Sequence, residues 1–150
     1  ALFMAAAAAG GCAAAYAAYR YAWQPRRIGF VRHITLAGGR EVRAHLLPLD
    51  TDCAETTIRS QWAKLHAAQV IGLDAEWEPD GSNPKVAVVQ ISTESDAFVL
   101  QLLHMDGVPD ALKELLGDPH LVKSGLGIAD DARRLREDYG LAVGPLVDVR

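Results

Sequence analysis

Between residues 70 and 149 the chain sets apolar runs and turn residues in an order that few architectures accept. "VIGLDAEW" (70–77) and "KVAVVQIS" (85–92) read as strands joined by the turn-rich "EPDGSNP". "DAFVLQLL" (96–103) follows as a third strand so closely that the three form an antiparallel meander. "PDALKELLG" then makes a short helix with Gly117 after its end. "HLVKSG" is a further strand, "IADDARRLREDYG" a helix and "PLVDV" a last strand. A meander followed by β-α-β-α-β predicts an α/β fold: a mixed sheet, antiparallel then parallel, with flanking helices. Upstream, "DCAETTIRSQWAKLHA" (52–67) has the Ile58, Trp62, Leu65 stripe of one helix, capped by Thr51 or Asp52.

The N-terminal third differs in character. Residues 1–19 carry no charge and are mostly Ala, and Arg20, Arg26, Arg27 and Arg32 follow. About 20 apolar residues span a bilayer as a helix. This Ala-rich helical segment therefore reads as a membrane anchor whose basic flank keeps the next domain cytosolic. A cleavable targeting segment and a low-complexity tail are the other readings. Three regions result: 1–27 as anchor or targeting segment, 28–50 as a linker or hairpin around Ala37-Gly38-Gly39, and 51–150 as the main domain. The chain begins with Ala and stops inside a strand-like run, so a fragment of a longer protein is expected.

Charge narrows the function. Residues 1–50 sum to +4 and residues 51–150 to −8. A protein that coats nucleic acid needs a broad basic face. An enzyme gripping a few phosphates through metal ions does not. The two cysteines and five histidines show neither disulfide nor zinc spacing.

Acids end the first strand. On a strand, residues i and i+2 share a face, so Asp74 and Glu76 project together while Ala75 faces away. Paired carboxylates raise each other's pKa unless a cation intervenes, and all-oxygen ligands suit Mg²⁺ or Mn²⁺. Acids placed at a strand end for solubility are the competing reading. A calcium loop starting at Glu76 fails, because its twelfth position, which requires Glu, is Ala87. Asp130 and Asp131 open the later helix, about 100° apart around its axis. Leu135 lies on the side of Asp131, which makes Asp131 the inward candidate and Asp130 a solvated cap. Trp77 is read as packing against the sheet. Lys123, Arg133 and Arg134 are read as solvated rather than phosphate-binding.

Together "VIGLDAEW…KVAVVQIS…AFVLQL…LVKSGLGIADDARRL…YGL…LVDVR" resembles the DEDD-type 3′→5′ exonuclease domain, in its Werner exonuclease branch, over about residues 52–150. The resemblance implies a ribonuclease H-like fold. It implies metal-binding catalytic roles for Asp74, Glu76 and Asp131, with two Mg²⁺ or Mn²⁺ ions bracketing the phosphate at a 3′ end of DNA or RNA. The family's fourth acid belongs to a Tyr/His-x-x-x-Asp motif. Tyr139 has no acid four residues on, and Asp148 does not match, so the chain carries three of the four acids. The alternative is an inactive ribonuclease H-like scaffold tethered to a membrane and used for binding. The apolar segment with its basic flank also resembles the membrane-anchored member of that branch. A cytosol-facing location such as the mitochondrial outer membrane follows, or the nucleus or an organelle interior after cleavage.

Overall fold

The computed structural model describes residues 29–36, 38–77 and 84–150. The anchor and targeting readings of residues 1–27 lie outside these. No helix among the described residues is long and apolar enough to cross a membrane.

Two strands, β1 (Phe30–Thr35) and β2 (Glu41–Leu46), pair antiparallel. Helices α1 (Thr51–Ser60) and α2 (Trp62–Ala67) follow, then the meander β3 (Val70–Trp77), β4 (Val86–Ser92) and β5 (Asp96–Leu100). A 3₁₀ turn (Leu102–His104), α3 (Asp110–Gly117), β6 (Val122–Gly125), α4 (Ile128–Tyr139) and β7 (Leu146–Asp148) complete the order. Among the described residues the strands make one seven-stranded sheet, β1-β2-β5-β4-β3-β6-β7. β3, β4 and β5 are antiparallel, and β6 and β7 run parallel to β3. β2 pairs in parallel with β5, so the sheet reaches back to residue 30.

Parity explains the packing. Ile71, Leu73 and Ala75 of β3 join Val89, Ile91, Phe98 and Leu100 in the main core, against Ile58 and Leu65 from α1 and α2. Leu112, Leu115 and Leu116 of α3 and Leu135 of α4 complete that layer. β4 is buried on both faces from Val86 to Ile91, as expected of a strand inside a sheet.

Three details differ from the sequence reading. The helix predicted over 52–67 is interrupted at Gln61. The hydroxyls of Thr56, Thr57 and Ser60 bond the carbonyls of Asp52, Cys53 and Thr57, a pattern that bends helices. The cap is Asp50, not Thr51 or Asp52, its Oδ1 accepting the Cys53 N–H at 2.8 Å. Gly117 ends α3 from within rather than following it.

Two glycines place α4. A Cβ on Gly125 would lie 2.4 Å from the Leu73 carbonyl oxygen, so only glycine lets β6 end this close to β3. Gly127 has φ of +69°, a left-handed conformation that turns the chain directly into α4.

Candidate metal centre

The acids of β3 stand where parity puts them. Asp74 and Glu76 are half-buried on one face, while Leu73 and Ala75 enter the core on the other. Across the sheet Asp74 faces Gln90, whose Nε2 donates to Asp74 Oδ2 at 3.1 Å. The Oε1 of Gln90 is buried without a partner. Gln90 escaped the sequence reading, although it is the only polar residue in "VAVVQI".

The register slips beside Glu76. Glu76 pairs with Val88 but Trp77 pairs with Val86, leaving Ala87 as the extra residue of a β-bulge. Such bulges bend a strand and re-aim the side chains next to them.

In α4 the two adjacent acids separate as the helix geometry requires. Asp131 is 6% exposed, whereas the Asp130 side chain is 71% exposed and lies 3.6 Å from Arg133. Asp131 Oδ2 is buried with no hydrogen-bond partner. Burial pushes its carboxyl up to about 7, with the charges of Asp74, Glu76, Asp130 and Asp148 adding to the effect. Burial likewise raises Asp74 and Glu76, the latter also through the charge of Asp74. Within this group the charges of Asp74 and Glu76 bear on Asp131, and a backbone hydrogen bond at Ala75 only partly offsets the burial of Asp74.

That group fits a hard divalent cation by the chemistry of its donors, which are carboxylate oxygens only. The orphaned Asp131 oxygen is the second mark of fit, because a buried carboxylate normally has partners. As the side chains stand, no three His, Cys, Asp or Glu residues among those described converge on one ion position. The acids are gathered but not closed around a point.

Asp148 does not join them as a ligand. Arg150 holds both its oxygens, at 2.7 Å for Nη2 to Oδ2, and the Gly127 N–H reaches Oδ1 at 3.3 Å. These bonds keep Asp148 down at about 2. Its charge still bears on Asp131.

The basic residues around the site need correction. Lys123 is not solvated: it is fully buried, with Nζ donating to the carbonyls of Asp118 and Gly144 at 2.8 Å each. Arg134 is half-buried, its guanidinium 4.9 Å from the centre of the Trp77 ring. Only Arg133 is exposed as expected, paired with Glu137 at 2.9 Å. Trp77 packs against the main core. Lys123 and Arg134 are thus committed within the protein. Ser124, on the strand leading to α4, has a buried hydroxyl with no partner and was also missed by the sequence reading.

Comparison with known proteins gives these residues a context. A family model described as 3'-5' exonuclease matches residues 53–150. Exonuclease 3'-5' domain-containing protein 2 of Drosophila melanogaster is 38% identical over 84 residues, covering 55% of this chain and 14% of that protein. A 3'-5' exonuclease of Arabidopsis thaliana is 39% identical over 83 residues, covering 53% and 29%. The chain therefore spans less than a third of the length of these relatives. A crystal structure of the EXD2 exonuclease domain superposes with a TM-score of 0.64 at 22% identity, covering 71% of this chain and 57% of that one. The same domain soaked in Mg gives 0.63 at 23% identity, covering 70% and 56%. These superpositions establish a shared fold: a mixed sheet with flanking helices, of the ribonuclease H-like type.

Proposed function

Since this chain belongs to the 3'-5' exonuclease family, we propose that Asp74, Glu76 and Asp131 hold Mg²⁺ or Mn²⁺ for hydrolysis of phosphodiester bonds at the 3′ end of a nucleic acid. The observation that carries this reading is Asp131: a buried carboxylate with one oxygen unpartnered, raised by burial and by the charges of further acids. A buried charge without a partner costs stability, so the fold itself gains nothing from retaining it. Crystals of the EXD2 exonuclease domain soaked in Mg and in Mn support the choice of ion.

The residues divide the work by position. Asp74 is oriented by the Gln90 amide, which occupies its Oδ2. Glu76, one turn of the pleat along the same face, is aimed by the bulge that follows it. Asp131 comes from a separate element, so its reach depends on how α4 is held against β3. Divalent cations at such a site supply the positive charge that a scissile phosphate and a departing 3′ oxygen require. They also allow a domain whose last hundred residues are net acidic to hold a polyanion.

The test is digestion of a 5′-labelled single strand by the protein at its natural length, with Mg²⁺ or Mn²⁺. Shortening from the 3′ end that stops with EDTA, and with Asp74→Asn, is the expected result. Cleavage undiminished after exhaustive chelation rejects the metal reading. Oligonucleotide binding without cleavage under any metal favours the scaffold alternative.

A cytosol-facing membrane tether through residues 1–19 is a separate proposal, supported by the uncharged run and the arginines after it. Release of the protein from membranes by alkaline carbonate would reject it.

A further inference from the structure

Helix α4 does more than carry Asp131. Counting from Asp131, positions i+3, i+4, i+7 and i+8 are Arg134, Leu135, Asp138 and Tyr139, which lie on one face of the helix. Leu135 is core. The other three all grip the segment around the bulge beside Glu76. Arg134 lies over the Trp77 ring, and its Nη1 donates to the Pro84 carbonyl at 3.2 Å, so it touches both sides of the β3–β4 connection. Asp138 Oδ2 accepts the Val86 N–H at 2.7 Å. The Tyr139 hydroxyl donates to the Val86 carbonyl at 2.6 Å. Val86 is the residue paired with Trp77 immediately after the register slip. Both backbone polar groups of that residue are therefore held by side chains of α4.

We propose that Arg134, Asp138 and Tyr139 form a positioning device that sets the Glu76 end of β3 against Asp131, fixing the spacing of two acids that come from different elements. The device rests on the metal-binding reading of those acids. None of its members reaches the site itself. Its effect passes through the bulge, whose geometry decides where the Glu76 carboxylate points, and through the helix axis, which decides where Asp131 stands. An exposed helix face would have no use for an arginine with a buried Nε or for a tyrosine spent on a single strand residue.

Titration of Mn²⁺ into the 150-residue chain, followed by electron paramagnetic resonance of the free ion, tests the device without reference to turnover. Arg134→Met should weaken Mn²⁺ binding by about 10-fold, the scale on which outer partners of metal ligands act. The direction is diagnostic. Loss of a positive charge near the site, by Coulomb's law alone, tightens cation binding. Arg133→Met, which removes the same charge from the exposed neighbouring position, should not weaken binding. Arg134→Lys keeps a cation that can lie on Trp77 and should recover most of the affinity. Tyr139→Phe removes one hydroxyl and should weaken binding in the same direction by less. Should Arg134→Met fail to fold, as judged by its circular dichroism, Tyr139→Phe decides on the same criterion. Unchanged or tighter Mn²⁺ binding by these folded variants overturns the proposal. If binding is lost in Asp74→Asn but kept in Arg134→Met and Tyr139→Phe, the positioning device falls and the proposed function stands. If binding does not depend on Asp74, the metal reading fails and takes the device with it.

Discussion

Two buried carboxylates in this protein live under opposite conditions. Asp96, at the start of β5, is fully buried, yet it has a partner for every lone pair. Arg43 Nη2 bonds it at 3.0 Å, His45 Nε2 at 2.9 Å and Ser95 Oγ at 2.8 Å, and Lys64 Nζ completes the set. Burial alone would push Asp96 up, but the bonds from Arg43, Lys64, His45 and Ser95 outweigh it and hold the carboxyl far below the ordinary range. Asp131 is almost as buried, has an oxygen with no partner, and is pushed up to about 7. A chain able to assemble three basic groups around one acid leaves another among acids. The contrast sets an acid that holds the fold together against acids for which we propose a metal ligand.

The largest effect expected from that contrast is at Asp96. Asp96→Ala strands Arg43, His45 and Lys64 around a polar hole. It should cost about 3 kcal/mol in urea unfolding, the low end for broken buried pairs because Arg43 and Lys64 keep contact with water. Asp131→Asn should do the reverse and raise metal-free stability at pH 8, because the neutral amide removes a charge that burial and the neighbouring acids disfavour. A loss of stability in Asp131→Asn would place Asp131 with Asp96 as a structural acid.

The same contrast divides the pH profile of the metal-free protein. Between its ordinary value of 3.8 and about 7, Asp131 binds more protons folded than unfolded, so its contribution is lost as pH rises through that window. Asp96 is depressed when folded, so its contribution is present above the ordinary value and lost as pH falls below it. Urea midpoints measured from pH 3 to 8 should therefore fall on both sides. Asp131→Asn should flatten the upper limb only, and Asp96→Asn the lower limb only. The smallest effect belongs to Asp130→Asn. Its exposed pairing with Arg133 contributes at most about 1 kcal/mol, so stability and nuclease activity should both hold.

Much of this could be read from residue order. Alternation in "VIGLDAEW" placed Asp74 and Glu76 on one face, and Leu135 identified Asp131 as the inward member of its pair. The connection of β2 to β5 could not be read, because a parallel pairing between residues 43–46 and 96–99 has no local signature. Nor could the break at Gln61, since three hydroxyls bonding back to carbonyls leave the apolar stripe intact. Lys123 and Arg134 misled for a common reason. A long basic side chain reads as solvent-facing, yet here carbonyls and the Trp77 ring from distant parts of the chain receive the cations. The bulge beside Glu76 was equally hidden, because a slip of one residue depends on what grips Val86 from α4.

The central claim is the proposal that Asp74, Glu76 and Asp131 bind a divalent cation. Thermal unfolding of the 150-residue chain at pH 7.5, with and without excess Mn²⁺, tests it most directly. A ligand that binds only the folded state at 100 times its Kd adds about 2.7 kcal/mol, a shift of several degrees for a domain of this size. The account expects Mn²⁺ to raise the unfolding temperature of the unaltered chain and of Asp130→Asn, and to leave Asp74→Asn and Asp131→Asn nearly unmoved. An equal Mn²⁺ shift in all four proteins, or none in the unaltered chain, would contradict it.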